Sequence, residues 1–416
     1  MYSRTILYHN SQPFRQIKRY YGFFTPFFVH KKNTVDEYES YSLKTSQDTK
    51  SHILPPVRTK MLVRDFIDDS LYNPHYGFFS KKPAWVTSSK EYKKDEDYVD
   101  SMSSFARTHG AAHPHYGHSH TELFQPWFGR AVAKYMVTEY KLTLYPHRDL
   151  VIYEMNGGNG RLMPYILDYI RQYEPSVYQR TQYNLIEPTF MSIAHEPLPQ
   201  HDCPIARFDQ SIFDWNRVVT EQCFVLGLEV MTRLGHDMIQ SRDNTQYQGL
   251  VCIDSQGHHH QLFEPVGNDP LINRYLTFRK KLKTPSSDRA WRQFRLSLAN
   301  SYEFIPTRLF QLLDILRTYF PGHRLILTDY SHLPHTIEGI NAPMVQTCYK
   351  DRMVRCKTFR LPPGWYDIMF PINFELVKEM YLLMSHKNVK LLSYEDFVER
   401  YERTKKRSSN VKILLT

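Results

Sequence analysis

The sequence predicts an α/β protein built on a mostly parallel, doubly wound sheet. Short apolar runs with the composition of buried strands alternate along the chain with segments of helical periodicity. A glycine-rich turn lies directly between the first of these runs and a helix. No stretch approaches the roughly 20 consecutive apolar residues that a membrane-spanning helix needs. Together these observations favour a nucleotide-binding type of fold and argue against a membrane-spanning helix.

The elements follow one another in an order that suits parallel strands joined by helices. Four short apolar runs predict buried strands, at residues 150–153, 184–186, 223–226 and 324–328. Apolar residues at helical spacing predict helices at residues 60–71, 123–140, 161–172 and 307–319. A charged, Ser-rich and His-rich stretch at about 80–120 has little periodicity and is typical of long loops.

The sequence also predicts how the chain is divided into parts. The predicted parts are a mitochondrial presequence (1–35), a linker (36–56), an N-terminal helical and loop region (57–145), the sheet domain (146–400) with an insertion at about 240–300, and a basic tail (401–416).

The first 35 residues carry six Lys or Arg and no Asp or Glu. A basic, acid-free N-terminus with scattered Ser, Thr and aromatic residues is typical of a mitochondrial presequence, although a disordered basic tail is an alternative. The formal charge of +10 falls to +4 without this segment, which argues against nucleic acid as a stable partner. The five cysteines are widely spaced and odd in number, which fits a reducing compartment such as the matrix and not a disulfide framework.

The glycine-rich turn follows the strand at 150–153 and includes Glu154, Asn156, Gly158 and Gly160. Glycines here let the backbone approach a ligand and adopt positive φ, and Asn156 tolerates the left-handed region better than most residues. Ligands of open α/β sheets bind at this edge, outside the carboxyl ends of the strands. The turn is therefore a candidate cofactor site.

A second acidic residue strengthens this interpretation. Glu187 ends the next apolar run, where a carboxylate can accept hydrogen bonds from ribose hydroxyls. A dinucleotide would place a pyrophosphate against the turn. S-adenosylmethionine (SAM) has none, and its ammonium group needs an acidic or backbone acceptor, which Glu154 would provide through the loop. Asp209 lies where a loop after the third strand could contact adenine. The residues alone leave a structural turn, with Glu187 facing water, as an alternative.

Five stretches then match one family in the correct order. They are residues 71–80 (Leu-Tyr-x-Pro-x-x-Gly-Tyr-Tyr-Ser in the family), 121–129 (Ser-Pro-Glu-Ile, then Phe-Gly), 154–163 (Glu-Leu-Gly-Pro-Gly-Arg-Gly-Thr-Leu-Met), 185–188 (the second acidic strand end) and 327–330 (Asp-Tyr-Gly). Over about residues 60–380 the chain resembles the MidA-like SAM-dependent methyltransferases of mitochondrial complex I assembly. The resemblance implies a class I methyltransferase fold with an additional helical, substrate-facing region. It also implies SAM as cofactor and methylation of an arginine in a respiratory-chain protein of the matrix.

The chain departs from the family in two places. Asn156 replaces the first glycine of the turn, and residues 228–235 keep only the acid and one leucine of Asn-Glu-Phe-Phe-Asp-Ala-Leu-Pro. An acceptor guanidinium would be oriented by a carboxylate, and Glu229 is the first candidate for this role, with Glu122 second. Each could instead be structural, Glu229 as a strand-end acid that caps the following helix and Glu122 as a helix N-terminal acid.

Two further interpretations of the function stay open. The first is a catalytically weakened relative that acts as an assembly or scaffold factor, and the second is a mitochondrial RNA methyltransferase. The histidines at 109–120 and 258–260 lack accompanying cysteines or regularly spaced carboxylates, so we expect no metal site.

Overall fold

The computed structural model describes residues 38–80, 126–155, 162–188, 200–242, 245–282, 302–334, 336, 341–349, 352–402 and 410–416. The α-helices in these segments are α1 Val63–Tyr72, α2 Trp127–Thr143, α3 Leu162–Tyr173, α4 Pro175–Tyr178, α5 Pro270–Arg279, α6 Thr307–Tyr319, α7 Phe374–Ser385 and α8 Tyr394–Glu402. Within the described residues, no helix has both the length and the apolar character needed to cross a membrane.

The strands in the same segments are β1 Ser42–Leu43, β2 Thr59–Leu62, β3 Leu150–Met155, β4 Thr181–Ile186, β5 Ile205–Phe208, β6 Cys223–Leu228, β7 Asp237–Arg242, β8 Thr245–Ile253, β9 His259–Pro265, β10 Tyr302–Ile305, β11 His323–Tyr330, β12 Met344–Tyr349, β13 Arg352–Cys356, β14 Asp367–Met369, β15 Lys390–Ser393 and β16 Val411–Leu415. They form three sheets.

The central sheet has seven described strands in the order β5-β4-β3-β6-β11-β16-β15. The pairs from β5 to β11 are all parallel, and β16 runs antiparallel to both of its neighbours. The four predicted strands correspond to β3, β4, β6 and β11, which are adjacent in this sheet. The protein is thus an α/β protein with a mixed central sheet.

Helices cover both faces of the central sheet. Alternate residues of β3, such as Ile152 and Tyr153, belong to two separate apolar clusters. The Ile152 cluster includes residues of α2, α3 and α8, whereas the Tyr153 cluster includes residues of α6 and α7. The central sheet consequently lies between two layers of helices.

The last strand lies inside the segment that we predicted as a basic tail. Val411, Ile413 and Leu415 are buried, and Lys412 between them is exposed. This alternation is that of a strand, and β16 completes the sheet between β11 and β15. The charged residues at 405–407 concealed the short apolar run that follows them.

A second sheet has the order β1-β2-β8-β7-β10, with β9 on β8. Residues 60–62, which we predicted as the start of a helix, form the end of β2 because they pair with Leu250–Cys252 of the insertion. The helix itself begins at Val63. Segment 38–50, within the predicted linker, packs on the same region through buried Tyr38 and Thr49. The insertion and the N-terminal segment therefore form one structural layer.

Helix α1 is anchored to this layer and to the central domain by ion pairs. Arg64 donates to Asp237 of β7 at 2.7 Å, and Arg308 of α6 donates to Asp65 at 2.9 Å. Gly235 packs directly on α1, since a Cβ there would lie 2.7 Å from the Arg64 carbonyl oxygen. This contact places α1 against the turn that follows β6.

Candidate active site

Four acidic residues meet at the carboxyl edge of the central sheet. Glu154 lies in β3, Glu187 follows β4, Glu229 follows β6 and Asp329 lies near the end of β11. These strands are parallel neighbours, so their carboxyl ends share one edge. The structure thus brings together three of the acids that the sequence singled out, and adds Asp329.

Glu154 is buried, at 2% exposure, and its Oε2 accepts a hydrogen bond of 2.8 Å from the Tyr183 hydroxyl. Burial raises the pKa of Glu154 to about 8, while the Tyr183 hydrogen bond lowers it and the charge of Glu187 raises it. A carboxyl group with this pKa is mostly protonated at neutral pH until a cation comes close.

Glu187 is also buried, at 2% exposure. It therefore does not face bulk water, which the alternative of a purely structural turn expected it to do. Its Oε2 lies 3.8 Å from Nη2 of Arg207, and its backbone N–H donates to the Phe208 carbonyl at 3.0 Å. The oxygens of a carboxyl group in this position can accept hydrogen bonds from ligand hydroxyls. Asp209, just after β5, is exposed at the same edge.

The remaining candidate residues fall outside the part of the chain that the structure describes. They are Glu122, Asn156, Gly158 and Gly160. The predicted presequence and the histidine cluster at 109–120 also lie outside it. The described wall of the site therefore ends at Met155 and resumes at Leu162 with the first residue of α3.

The turn after β6 is held by a buried carboxylate. Asp329 Oδ2 accepts hydrogen bonds from the backbone N–H groups of Met231 at 2.7 Å and Thr232 at 2.9 Å. Burial raises the pKa of Asp329, and the hydrogen bonds from the backbone N–H groups of Thr232 and Tyr330 counteract the rise. Glu229 opens the turn with φ of 55°, a left-handed conformation that is uncommon for a residue other than glycine. The Glu229 side chain is half-buried. The residue is followed by a turn and not by a helix, so it does not have the helix-capping role.

Arg233 closes this turn, and the sequence analysis did not identify it. Its Nε and Nη2 donate to Oδ1 and Oδ2 of Asp367 in β14, both at 3.1 Å. The guanidinium carbon lies 5.6 Å from the ring centroid of Phe79. One feature of the sequence could have identified Arg233. Within residues 228–235, the resembled motif has alanine at the position of this arginine.

The segment at 71–80 delivers aromatic side chains to the same place. A Cβ on Gly77 would lie 2.5 Å from both the backbone N and O of Asn73, so only glycine fits this tight turn. The turn stacks Phe79 on Tyr72, with ring centroids 5.4 Å apart. The Tyr72 hydroxyl donates to the Arg233 carbonyl at 3.1 Å. The spacing that this segment shares with the resembled motif thus has a structural use at the site.

The arrangement has two chemically different sides. Glu154 and Glu187 provide buried carboxyl groups for a ligand that carries hydroxyl and cationic groups, and these residues fit SAM. Glu229 and the ion pair of Arg233 with Asp367 provide a charged cluster after the neighbouring strand β6. Among the described residues, no group of His, Cys, Asp or Glu is suited to hold a metal ion, and His258 and His260 instead bond to Asp254.

The chain is similar to known methyltransferases. The sequence model of a family described as "Putative S-adenosyl-L-methionine-dependent methyltransferase" matches residues 131–391. The chain is 24% identical over 372 residues to the mitochondrial "Protein arginine methyltransferase NDUFAF7 homolog" of Schizosaccharomyces pombe, covering 82% of this chain and 80% of that protein.

Solved structures are similar in fold. Two structures of a Burkholderia thailandensis protein, one of them described as a "likely methyl transferase" bound to S-adenosyl-homocysteine, align with a TM-score of 0.51 and 11% identity. Each alignment covers 93% of this chain and 94% of the other. The predicted family and the predicted cofactor are confirmed. Because the family model spans more than half of its length, this chain belongs to the family of SAM-dependent methyltransferases, and SAM is its cofactor.

Proposed function

We propose that the chain is a mitochondrial, SAM-dependent protein arginine methyltransferase that acts in the assembly of respiratory complex I. The observation that carries this proposal is the position of Glu229, half-buried at the end of β6 and one strand away from the buried Glu154 of β3. The arginine specificity and the mitochondrial location are supported by the name of the yeast relative. The complex I role is supported by the resemblance of the five motifs.

We also propose that the central domain has the doubly wound class I methyltransferase arrangement. The parallel strands from β5 to β11, the antiparallel β16 and the helices on both faces support it. Helix α1 and the segment that ends at Phe79 would be the described part of the substrate-facing region. Residues 1–35 would direct the chain to the mitochondrial matrix.

The cofactor, when bound, supplies an electrophilic methyl group on a sulfonium, and transfer to a guanidine nitrogen is an in-line displacement. The protein then contributes mainly position and charge. Glu187 would accept hydrogen bonds from the ribose hydroxyls, and Glu154 would ionise beside a cationic ligand. Asp209 would lie at the adenine side, and the turn at Asn156, Gly158 and Gly160 would approach the amino-acid part. Glu229, or Glu122, would orient the acceptor guanidinium and accept its hydrogen bonds.

A scaffold role without turnover is the alternative that a specific observation favours, namely the divergence of residues 228–235 from the family motif. An RNA methyltransferase would share the cofactor site and differ in its partner.

The decisive experiment has a binding step and a turnover step. Calorimetric titration of SAM would compare the chain from about residue 36 with Gly158→Arg and Glu187→Ala. Micromolar binding that both variants lose is expected, and absence of binding to a folded wild type would reject the enzyme.

Turnover would be followed as transfer of labelled methyl groups to matrix proteins. Glu229→Gln should abolish transfer and leave the fold intact. Glu221→Gln, at an exposed position two residues before β6, is the matched control and should leave transfer unchanged. Equal labelling by both variants would favour the scaffold role, and salt-sensitive labelling of RNA would favour the RNA enzyme.

A further inference from the structure

The turn after β6 contains a guanidinium of its own. Arg233 lies four residues after Glu229, the acid proposed to orient the acceptor, and both side chains are only partly buried. The resembled motif has alanine at this position, so a small side chain is compatible with the turn. The arginine is therefore a feature of this chain that calls for its own explanation.

The contact between Arg233 and Asp367 is of the kind that recognises a guanidinium. Two parallel N–H···O hydrogen bonds of 3.1 Å join Nε and Nη2 to the two carboxylate oxygens. A planar guanidinium matches a carboxylate in this way, and an ammonium group does not. The Asp367 side chain is 1% exposed, whereas the Arg233 side chain is 25% exposed. The Asp367 carboxylate is thus buried, and the Arg233 side chain is the partner that is partly open to solvent.

Two further groups complete the surroundings of this guanidinium. The ring of Phe79 lies 5.6 Å from the guanidinium carbon, within the range of cation–π attraction. Burial lowers the pKa of Arg233, but the carboxylate of Asp367 and then that of Glu229 raise it, and the result is a pKa above the usual value. Arg233 is therefore a cation that experiences two carboxylates and one aromatic face.

We propose that Asp367, Glu229 and Phe79 form a guanidinium-binding subsite, and that Arg233 fills this subsite from within the chain. This proposal rests on the proposed function in one respect, namely that Glu229 is the acid that would orient the acceptor guanidinium. An arginine of a protein substrate would have to compete with Arg233 for Glu229. Arg233 is thus a specificity-determining residue that suppresses the binding of short or poorly fitting arginine segments.

The subsite can be tested without cofactor or substrate protein. Replacing Arg233 by alanine empties it, and N-ethylguanidinium then serves as a soluble probe of the vacated position. We expect Arg233→Ala to bind the probe saturably and at least tenfold more tightly than the wild type, measured by calorimetry and as a rise in Tm at probe concentrations below the denaturing range. Ethylammonium is the matched control for charge and should bind at least tenfold more weakly to the same variant.

Two double variants identify the walls of the subsite. Arg233→Ala combined with Asp367→Asn, or with Glu229→Gln, should lose at least tenfold of the gained affinity. If Arg233→Ala is unfolded, Arg233→Met, which keeps an unbranched side chain without the guanidinium, is measured in its place. No saturable binding to the folded variant would overturn the proposal. Binding that Glu229→Gln leaves unchanged would also overturn it, because Asp367 would then act alone.

The activity of the same proteins separates this inference from the proposed function. With an arginine-containing peptide as acceptor, Arg233→Ala should lower KM at least threefold relative to the wild type. Binding of the probe without methyl transfer by either protein would keep the subsite and refute the enzyme. Methyl transfer by both proteins without any binding of the probe would keep the enzyme and refute the subsite.

Discussion

Glu154→Gln is expected to change how the stability of the protein depends on pH. The group has a pKa of 4.5 in an ordinary environment and about 8 when buried in the folded protein. The folded protein therefore keeps a proton on Glu154 over a pH range in which the unfolded chain has already released it. Each unit of pKa difference corresponds to about 1.4 kcal/mol, so the whole range corresponds to at most about 5 kcal/mol.

The direction of the effect follows from the raised pKa. The unfolding free energy of the wild type is unaffected by this group below about pH 4 and falls as pH rises from there to about 8. Glutamine cannot ionise, and its amide oxygen can still accept the hydrogen bond from Tyr183. The difference in unfolding free energy between Glu154→Gln and the wild type should therefore grow with pH by up to about 1.4 kcal/mol per unit and level off above about 8.

Urea denaturation at intervals between about pH 5 and about pH 9 measures this difference, and other buried acids cancel in the comparison. Tyr183→Phe is the matched control, since it removes a hydrogen bond that lowers the pKa of Glu154 and should extend the falling range to higher pH. Parallel pH profiles for the wild type and Glu154→Gln would refute the reasoning.

Three further predictions concern the turns and the cofactor. Gly77→Ala should lower the unfolding free energy by more than about 2 kcal/mol in chemical denaturation, because its Cβ would meet Asn73 backbone atoms at 2.5 Å. Asp329→Ala should lower it by about 2–4 kcal/mol in the same assay, since two buried backbone N–H groups after β6 lose their acceptor. SAM should bind more tightly as pH rises to about 8, with release of a proton detected by calorimetry in buffers of different ionisation enthalpy, because Glu154 ionises beside a cationic ligand.

Each of these predictions has an internal control. Gly267→Ala tests glycine replacement in open space, since nothing lies within 4 Å of its Cβ, and should be nearly neutral. A similar loss in both glycine variants would contradict the steric argument. Asp329→Asn retains one acceptor oxygen and should cost less than alanine, so equal losses would argue against the hydrogen bonds. A proton release that persists in Glu154→Gln would assign it to another group.

Local sequence patterns predicted the elements whose environment is uniform along their length. The strands β3, β4, β6 and β11 are buried on both faces and appear as short apolar runs, and helix 307–319 matches α6 at both ends. The sequence does not predict strand β5, because three of its four residues are partly exposed, the fourth is exposed, and they form no apolar run. Strand β2 was assigned to a helix because its conformation is set by pairing with β8, about 190 residues later in the chain.

The sequence likewise predicts one part of the candidate site and not the other. Glu154, Glu187 and Glu229 could be placed at one edge from sequence because parallel strands end on the same side of a sheet. Their functional roles stay predictions. The ion pair of Arg233 with Asp367 joins residues 134 positions apart, and no local pattern indicates such a contact. Asp329 lies in residues 327–330, one of the five stretches that resemble the family. Its hydrogen bonds to the turn after β6 could not be predicted, because they depend on the register of β6 with β11.

The position of β16 has a consequence for biosynthesis. This strand follows β15 in the chain, yet it lies between β15 and β11 in the sheet. A nascent chain that has emerged only as far as α8 can form the parallel half of the sheet but has no means of attaching β15. The edge of β11 stays unpaired until β16 has been synthesised. A frameshift or premature stop shortly before residue 411 would therefore leave this edge permanently open to pairing with other chains. Late truncations should therefore produce aggregation, not a shortened but soluble enzyme.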